Sequence, residues 1–276
     1  MSGRVLVTGG TGTTGRRTLD ALRAAGAPAV GAARRPAAGG VRFDWHDPAT
    51  WAAGLEGTDA AYLVAPAGPG DPAPPMLAWL EAAAAAGVTR IVLLSASLLE
   101  AGGPAMGQVH QWLQRSGLGW AVLRPTWFAD NFTEGRHRDT IRQERAITTA
   151  AGDGRVPFVS ADDIAAAAAG LLSADRMPDN DYVLTGSELL DHDQVAHRIG
   201  AVIGQPVTHR RVGFNELVGL HVGHGLGREH AETLAFMDLL IADGAEDRQT
   251  PDLERLLGRA PTGLSEIIDR NRSAWS

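Results

Sequence analysis

The sequence predicts an α/β protein of the Rossmann type: a doubly wound parallel sheet followed by a small, mainly helical C-terminal substrate cap. Three observations predict it. RVLVTGGTGTTGRR, residues 4–17, reads as strand, glycine turn and helix. Short apolar runs then alternate with helical segments as far as Gly186. Beyond Gly186 the pattern turns mainly helical. The expected division is therefore 1–186 for the nucleotide-binding domain and 187–276 for a cap packed on it.

The first element sets the rest. Val5, Leu6 and Val7 form an apolar run of strand type, and residues 16–25 carry a helical pattern. Between them Gly9, Gly12 and Gly15 recur every three residues. Such a turn needs glycine where backbone approaches a ligand closely, and the N–H groups of the following helix suit a pyrophosphate. The second strand, residues 29–33, delivers Arg34 and Arg35 to the position that faces the adenosine ribose. An acid there would accept from a 2′-hydroxyl; arginine suits a 2′-phosphate, which predicts NADP(H) in preference to NAD(H).

Residues 41–43 form a brief strand that ends at Asp44, within reach of an adenine, and 48–55 a short helix. Residues 60–64 form a strand ending at Ala65 and Pro66 on the cofactor edge. A Gly/Pro loop over 68–75 leads to a helix at 76–86. The unbroken apolar run 89–95 is a buried parallel strand with Ser95 and Ser97 at its end. A helix over 106–115 carries His110, and a strand over 119–123 precedes Arg124, Pro125, Thr126, Trp127 and Phe128. Segments 146–149, 159–174 and 182–185 continue as strand, helix, strand. In the cap, helices are expected at 192–203, 215–243, 252–257 and 264–270, with one strand at 207–212.

Composition narrows the function. A chain of 276 residues, 44 % hydrophobic, suits one large domain with an appendage. The net charge of −7 argues against nucleic acid and acidic membrane surfaces. There is no cysteine, which removes disulfides, thiol nucleophiles and thiolate metal sites. No apolar run approaches the roughly 20 residues of a membrane span, and the N-terminus reads directly into the first strand, so a cytoplasmic protein is expected. There is no lysine either, so all 25 basic residues are arginine and Schiff-base chemistry is excluded.

Taken together, the segments VTGGTGTTG, ARR, FDWHDPATW, YLVAP, IVLLSAS, LRPTWFADNF and PFVSADDIA resemble the NmrA-like branch of atypical short-chain dehydrogenases. Within it the likeness is to the festuclavine-synthase-like ergot alkaloid reductases and their bacterial relatives, and it spans nearly the whole chain. The resemblance implies a cofactor turn at Gly9, Gly12 and Gly15 with Thr11, Thr13 and Thr14 near the phosphates. It implies Arg34 at the 2′-phosphate, Asp44 and Trp45 on the adenine side, and Ala65 and Pro66 beside the nicotinamide ribose. Pro125, Thr126, Trp127 and Phe128 match the segment flanking the nicotinamide. One departure stands out: ordinary members use a Tyr-x-x-x-Lys pair, whereas the only tyrosines here are Tyr62 and Tyr182, and no lysine exists.

The chemistry left open is hydride transfer to an iminium ion, a quinone or an activated alkene. Trp127, Phe128 and Phe132 are candidate aromatic walls, with core packing as the alternative. His110 is the candidate general acid or else a capping histidine, and Ser95 and Ser97 orient substrate or satisfy strand-end groups. Asn131 is a candidate donor to a substrate carbonyl or else a turn cap. His221, His224 and His230 match no metal spacing, and no metal is expected. The expected activity is an NADPH-dependent reductase of a small organic molecule in secondary metabolism, acting as a monomer or homodimer. The alternatives are a cofactor-binding sensor and a non-redox enzyme retaining the fold.

Overall fold

β1 (Arg4–Thr8) is the pivot of a seven-stranded sheet in the computed structural model, which describes residues 3–68 and 70–276. Met1, Ser2 and Pro69, the last within the expected 68–75 loop, lie outside the described residues. In chain order there follow α1 (Thr13–Ala24), β2 (Ala29–Ala33), β3 (Val41–Arg42), α2 (Ala52–Leu55), β4 (Thr58–Leu63), α3 (Ala73–Ala85) and β5 (Arg90–Leu94). Then come α4 (Met106–Leu113), β6 (Gly119–Pro125), α5 (Arg136–Glu144), β7 (Ala146–Thr149), α6 (Ala161–Ser173) and β8 (Asn180–Leu184). The remainder is α7 (His192–Ile203), β9 (Thr208–Arg211), α8 (Phe214–Gly223), α9 (Arg228–Ala242), α10 (Asp252–Leu257) and α11 (Leu264–Arg270).

The large sheet has the order β3-β2-β1-β4-β5-β6-β8 and is parallel at every junction. The chain leaves β1 toward β2 on one side and returns to β4 on the other, so the strand order reverses at β1. That reversal opens a crevice at the carboxyl ends of the strands. Both faces of such a sheet are covered, which is why Val5, Leu6 and Val7 are fully buried in an unbroken run. Phe43, Trp45 and Trp79 pack edge to face within the same core, with Phe43 and Trp45 ring centroids 4.9 Å apart.

The chain divides into two compact units whose segments interleave. One comprises residues 1–125, 161–184 and 252–259; the other comprises 126–160, 185–251 and 260–276. This differs from the single division expected between 186 and 187. α10 accounts for part of the difference: the Asp252 carboxylate accepts from the Val183 N–H of β8 at 3.1 Å, which ties that helix to the sheet unit.

Three further elements depart from expectation. β7 is not a strand of the large sheet; it pairs in parallel with β9, from Ala146 opposite Thr208 to Thr149 opposite Arg211. α5 was not anticipated, because its RHRDTIRQE sequence offers almost no apolar face. The long helix expected over 215–243 is two helices, α8 and α9, separated where Gly225 takes a φ of +89° and Gly227 caps α9. The second unit has its own core around Phe132, Ile147, Phe158, Ile199 and Trp275. α8 and α9 close a smaller cluster around Leu217 and Ala235. α7 begins with a reciprocal Asp191–Gln194 cap, which fixes its start next to the buried His192.

Candidate functional site

The glycine turn is built from the inside out. At the end of β1 the Thr8 hydroxyl donates to the Tyr62 carbonyl at 3.2 Å and accepts from the Val64 N–H at 2.8 Å, tying β1 to the end of β4. Gly9 then takes a φ of +61°, in the left-handed region open chiefly to glycine. A Cβ on Gly15 would lie 2.2 Å from the Gly9 carbonyl oxygen, so α1 can start this close to the strand only with glycine there. A Cβ on Gly12 would find its nearest neighbour, the same oxygen, at 3.2 Å. Gly12 is exposed and caps α1 without any side-chain hydrogen bond. The three positions thus divide into turn, open approach and close packing, the division of labour of a dinucleotide turn. α1 begins at Thr13, earlier than expected, because Gly12 already serves as its N-cap.

Two glycines passed over in the sequence complete the cradle. A Cβ on Gly10 would sit 2.8 Å from the Gly31 Cα, and one on Gly31 would sit 2.7 Å from Leu19 Cδ1. Backbone of the turn therefore lies against backbone of β2; a glycine inside a strand was the available signal. Beside this contact lies a hollow of about 200 Å³ between α1 and the loop after β2.

The expected cofactor residues of the sheet unit lie at strand carboxyl ends. Thr11 is exposed on the turn, Thr13 is half-buried and Thr14 is buried beneath it. Arg34 is exposed at the end of β2. Ala65 and Pro66 are half-buried after β4. The N–H groups of Ser95 and Ser97 donate to the carbonyls of Leu123 and Pro125 at 2.7 and 2.9 Å, which extends the β5–β6 ladder. Asp44 folds back on its own segment, its carboxylate accepting from the His46 N–H at 3.0 Å. Trp45 is buried against Phe43 and Trp79, so its ring packs in the core and presents no open face to an adenine.

Arg124 was not singled out in the sequence, yet it organises this edge. Its guanidinium is buried, donates to the Ser97 carbonyl at 2.8 Å and to Asp181 at 2.6 Å, and pairs with Glu100. It therefore fastens the segment after β5 to β6 and β8. Burial works to lower its pKa, but the bonds and charges of Glu100 and Asp181 outweigh it and raise the value.

His110 is buried on α4, its ring centroid 5.4 Å from that of Trp120 near the start of β6. Burial lowers its pKa, opposed by the charge of Asp181 and, more weakly, Glu100 and reinforced by that of Arg124, which favours the neutral ring. Its Nδ1 and the Ser95 Oγ are buried without a hydrogen-bond partner. Trp120 stands near the amino end of its strand, whereas Ser95 follows the carboxyl end of the neighbouring one. Tyr62 is fully buried, and burial raises its pKa, so it holds its proton throughout the ordinary range.

In the second unit Trp127 and Phe128 are half-buried. Their backbone is held by bonds from the Val159 N–H to the Trp127 carbonyl at 3.0 Å and from the Ala129 N–H to the Val159 carbonyl at 2.9 Å. Asn131 is half-buried one turn later. Phe132 is core: its ring lies 5.1 Å from Phe158 and 6.1 Å from His192. His221 is buried and, with His224 and His137, lines a shallow depression; His230 is exposed. His192 and His209 form a second buried pair, 5.2 Å apart. Burial pushes both pKa values down, that of His192 well down.

The parallel sheet, its reversal at β1 and the glycine cradle define a Rossmann-type dinucleotide-binding protein. The chain belongs to the NAD(P)H-binding family, whose pattern matches residues 9–175. It is 36 % identical over 284 residues to an agroclavine dehydrogenase of Claviceps fusiformis, covering 98 % of each chain. It is 35 % identical over 286 residues to a festuclavine dehydrogenase of Aspergillus fumigatus, again covering 98 % of each. Among solved structures it resembles the NADPH-dependent quinone oxidoreductase QOR2 of Escherichia coli in complex with NADPH, with a TM-score of 0.82 and 26 % identity. That match covers 96 % of this chain and 99 % of the other. The resemblance to the clavine reductases read from the sequence therefore stands.

Proposed function

We propose that the protein is an NADPH-dependent reductase of a small organic acceptor in secondary metabolism: an iminium ion, a quinone or an activated alkene. The observation that carries this is the cradle at Gly9, Gly12 and Gly15, where two positions have no room for a side chain or require positive φ and the exposed third leaves backbone open to a pyrophosphate. The kinship with agroclavine and festuclavine dehydrogenases and with a quinone oxidoreductase supports the reaction class. Arg34 at the end of β2 supports NADP(H) over NAD(H).

Bound NADPH supplies the hydride. The protein's part is to hold the cofactor on the turn and to exclude ordinary ketone chemistry, since Tyr62 is locked in the core and no lysine is present. An iminium carbon that takes a hydride becomes a neutral amine and needs no proton. A quinone or alkene needs one, and His110 on α4 and Ser95 at the carboxyl end of β5 are the proposed donors, each with a buried polar atom, Nδ1 and Oγ, that has no hydrogen-bond partner. Trp127 and Phe128 are proposed as the aromatic boundary of the substrate and Asn131 as a donor to it; Ser97 serves as a backbone anchor through Arg124. Among the described residues no helix is long and apolar enough to cross a membrane, and we place the protein in the cytoplasm as a monomer or homodimer.

The test is titration with NADPH and NADH, then single-turnover oxidation of bound NADPH by a panel of cyclic iminium ions, quinones and enones. Preferential NADPH binding and its oxidation by one of these classes is expected. NADPH that binds but persists against every class overturns the reductase reading in favour of a sensor.

A further inference from the structure

Three buried polar groups share one face of the large sheet. Ile91 and Leu93 of β5 and Trp120 and Val122 of β6 pack in the same core as Val109 and Leu113 of α4. Side chains alternate along a strand, so Ser95 and Arg124, each two positions further on, stand on that same face. The register sets them side by side: Leu94 lies opposite Leu123, and the Ser95 N–H donates to the Leu123 carbonyl. His110 reaches this face from α4, its ring against Trp120. Ser95 Oγ, His110 Nδ1 and Arg124 Nε are buried there without a hydrogen-bond partner, which costs stability and marks the place for a task other than folding. The other two nitrogens of Arg124 are committed: Nη2 to the Ser97 carbonyl at 2.8 Å and to Glu100, Nη1 to Asp181 at 2.6 Å. This guanidinium therefore ties the segment that carries Ser95 and Ser97 to β8.

We propose that Arg124 is the positioning residue for proton delivery: it holds Ser95, and the charges around His110, in the arrangement that gives a proton to the reduced acceptor. The proposal rests on the reductase reading above. A quinone takes a hydride, one proton with two electrons, from NADPH and becomes a hydroquinone monoanion, leaving NADP⁺. A further proton completes the hydroquinone; Ser95 or His110 delivers it and regains one from solvent. An enone likewise takes the hydride and then one proton. An iminium ion becomes a neutral amine on the hydride alone. Arg124 therefore matters to the first two reactions and not to the third. The groups that face His110 come from three segments besides α4. Burial opposes a proton on the ring, Asp181 on β8 favours it, Arg124 on β6 opposes it and Glu100 after β5 favours it. Gln114, one turn further along α4, lies 3.5 Å from Nε2 and carries no charge.

The experiment is single-turnover oxidation of bound NADPH by menadione, by cyclohexenone and by an N-methyl dihydroisoquinolinium ion, with NADPH affinity measured on each protein. The proteins are the unmodified chain, Arg124→Lys and Glu100→Gln. Arg124→Lys keeps the charge and loses the fork. It is expected to reduce whichever of the quinone and the enone the unmodified chain reduces at least about tenfold more slowly, the scale of a misplaced proton donor. Its NADPH affinity and its rate with the iminium are expected to hold. Glu100 is exposed, so Glu100→Gln spares the fold. Its reduction of the quinone or enone is expected to fall away at lower pH than in the unmodified chain, because a charge that favours the His110 proton is gone. Three results overturn the assignment: an unslowed quinone or enone in Arg124→Lys, an equal slowing with the iminium, the mark of a merely structural role, or an unmoved pH profile in Glu100→Gln. An unmodified chain that reduces the iminium alone also overturns it, since no proton is then delivered. An unmodified chain that oxidises NADPH with none of the three overturns the reductase reading itself, a result separable from the others because it precedes any substitution.

Discussion

Substituting alanine for Gly15 and for Gly12 separates the two tasks of the turn. At Gly15 the added Cβ would lie 2.2 Å from the oxygen and 2.7 Å from the carbon of the Gly9 carbonyl, both backbone atoms that move only if the turn moves. Overpacking of this kind costs about 1–3 kcal/mol, and a backbone clash belongs at the upper end. Alanine returns up to about 1 kcal/mol in helix propensity. The net expectation is a loss of about 1–2 kcal/mol, a fall in Tm of roughly 2–8 °C for a chain of this size, and loss of NADPH binding because the turn is displaced. At Gly12 the nearest atom to the new Cβ is 3.2 Å away, a tight contact that a shift of a few tenths of an ångström relieves, so the loss of stability should be smaller than at Gly15, about 1 kcal/mol or less. NADPH affinity should nevertheless fall at least tenfold, because the methyl occupies the approach of the pyrophosphate. The assays are thermal unfolding without ligand and fluorescence titration with NADPH. A Gly15→Ala chain of unchanged Tm, or a Gly12→Ala chain that binds NADPH like the unmodified protein, refutes this division.

Three further outcomes are expected. Arg124→Met leaves the Ser97 carbonyl without that donor and breaks both ion pairs; because Glu100 and Asp181 are partly solvated, the loss is expected at about 2–4 kcal/mol in urea unfolding. Stability falls on acidification: His192 is held below its ordinary pKa by burial and by the nearby His137 and His209, so the unfolded chain binds the proton more readily. Its contribution is complete well above pH 6.5 and is lost as pH falls below that value, by up to about 1.4 kcal/mol per pH unit, a slope that His192→Phe should reduce. Reduction of a cyclic iminium at saturating NADPH should show a flat rate between pH 6 and 8, since no proton donor is required; a bell-shaped profile would assign a titrating group to the step.

The sheet was legible because its strands are short apolar runs that cannot be amphipathic when both faces are covered, as Val5–Val7 and Ile91–Leu93 show. The glycine spacing was legible for the same local reason: each glycine answers to a neighbour within a few residues. Gly10 and Gly31 escaped notice because their partners are each other, 21 positions apart, and only the packing of β1 against β2 joins them. Trp45 read as an adenine neighbour, but its environment is set by Trp79 on α3, which sequence order does not reveal. Arg124 looked like part of a loop motif, and its buried role depends on Glu100 and Asp181 from two other segments. β7 was legible as a strand but not as a partner of β9, since pairing across about sixty residues leaves no local mark.

The central claim is that this turn holds NADPH for transfer to a small acceptor. Stopped-flow oxidation of bound NADPH tests it most directly, with a cyclic iminium, a quinone and an enone mixed in turn against the unmodified protein and Gly12→Ala. The account predicts rapid loss of NADPH absorbance with at least one acceptor, and a slower loss in Gly12→Ala at the same subsaturating NADPH concentration. Equal rates in both proteins, or no binding of NADPH at all, would contradict it.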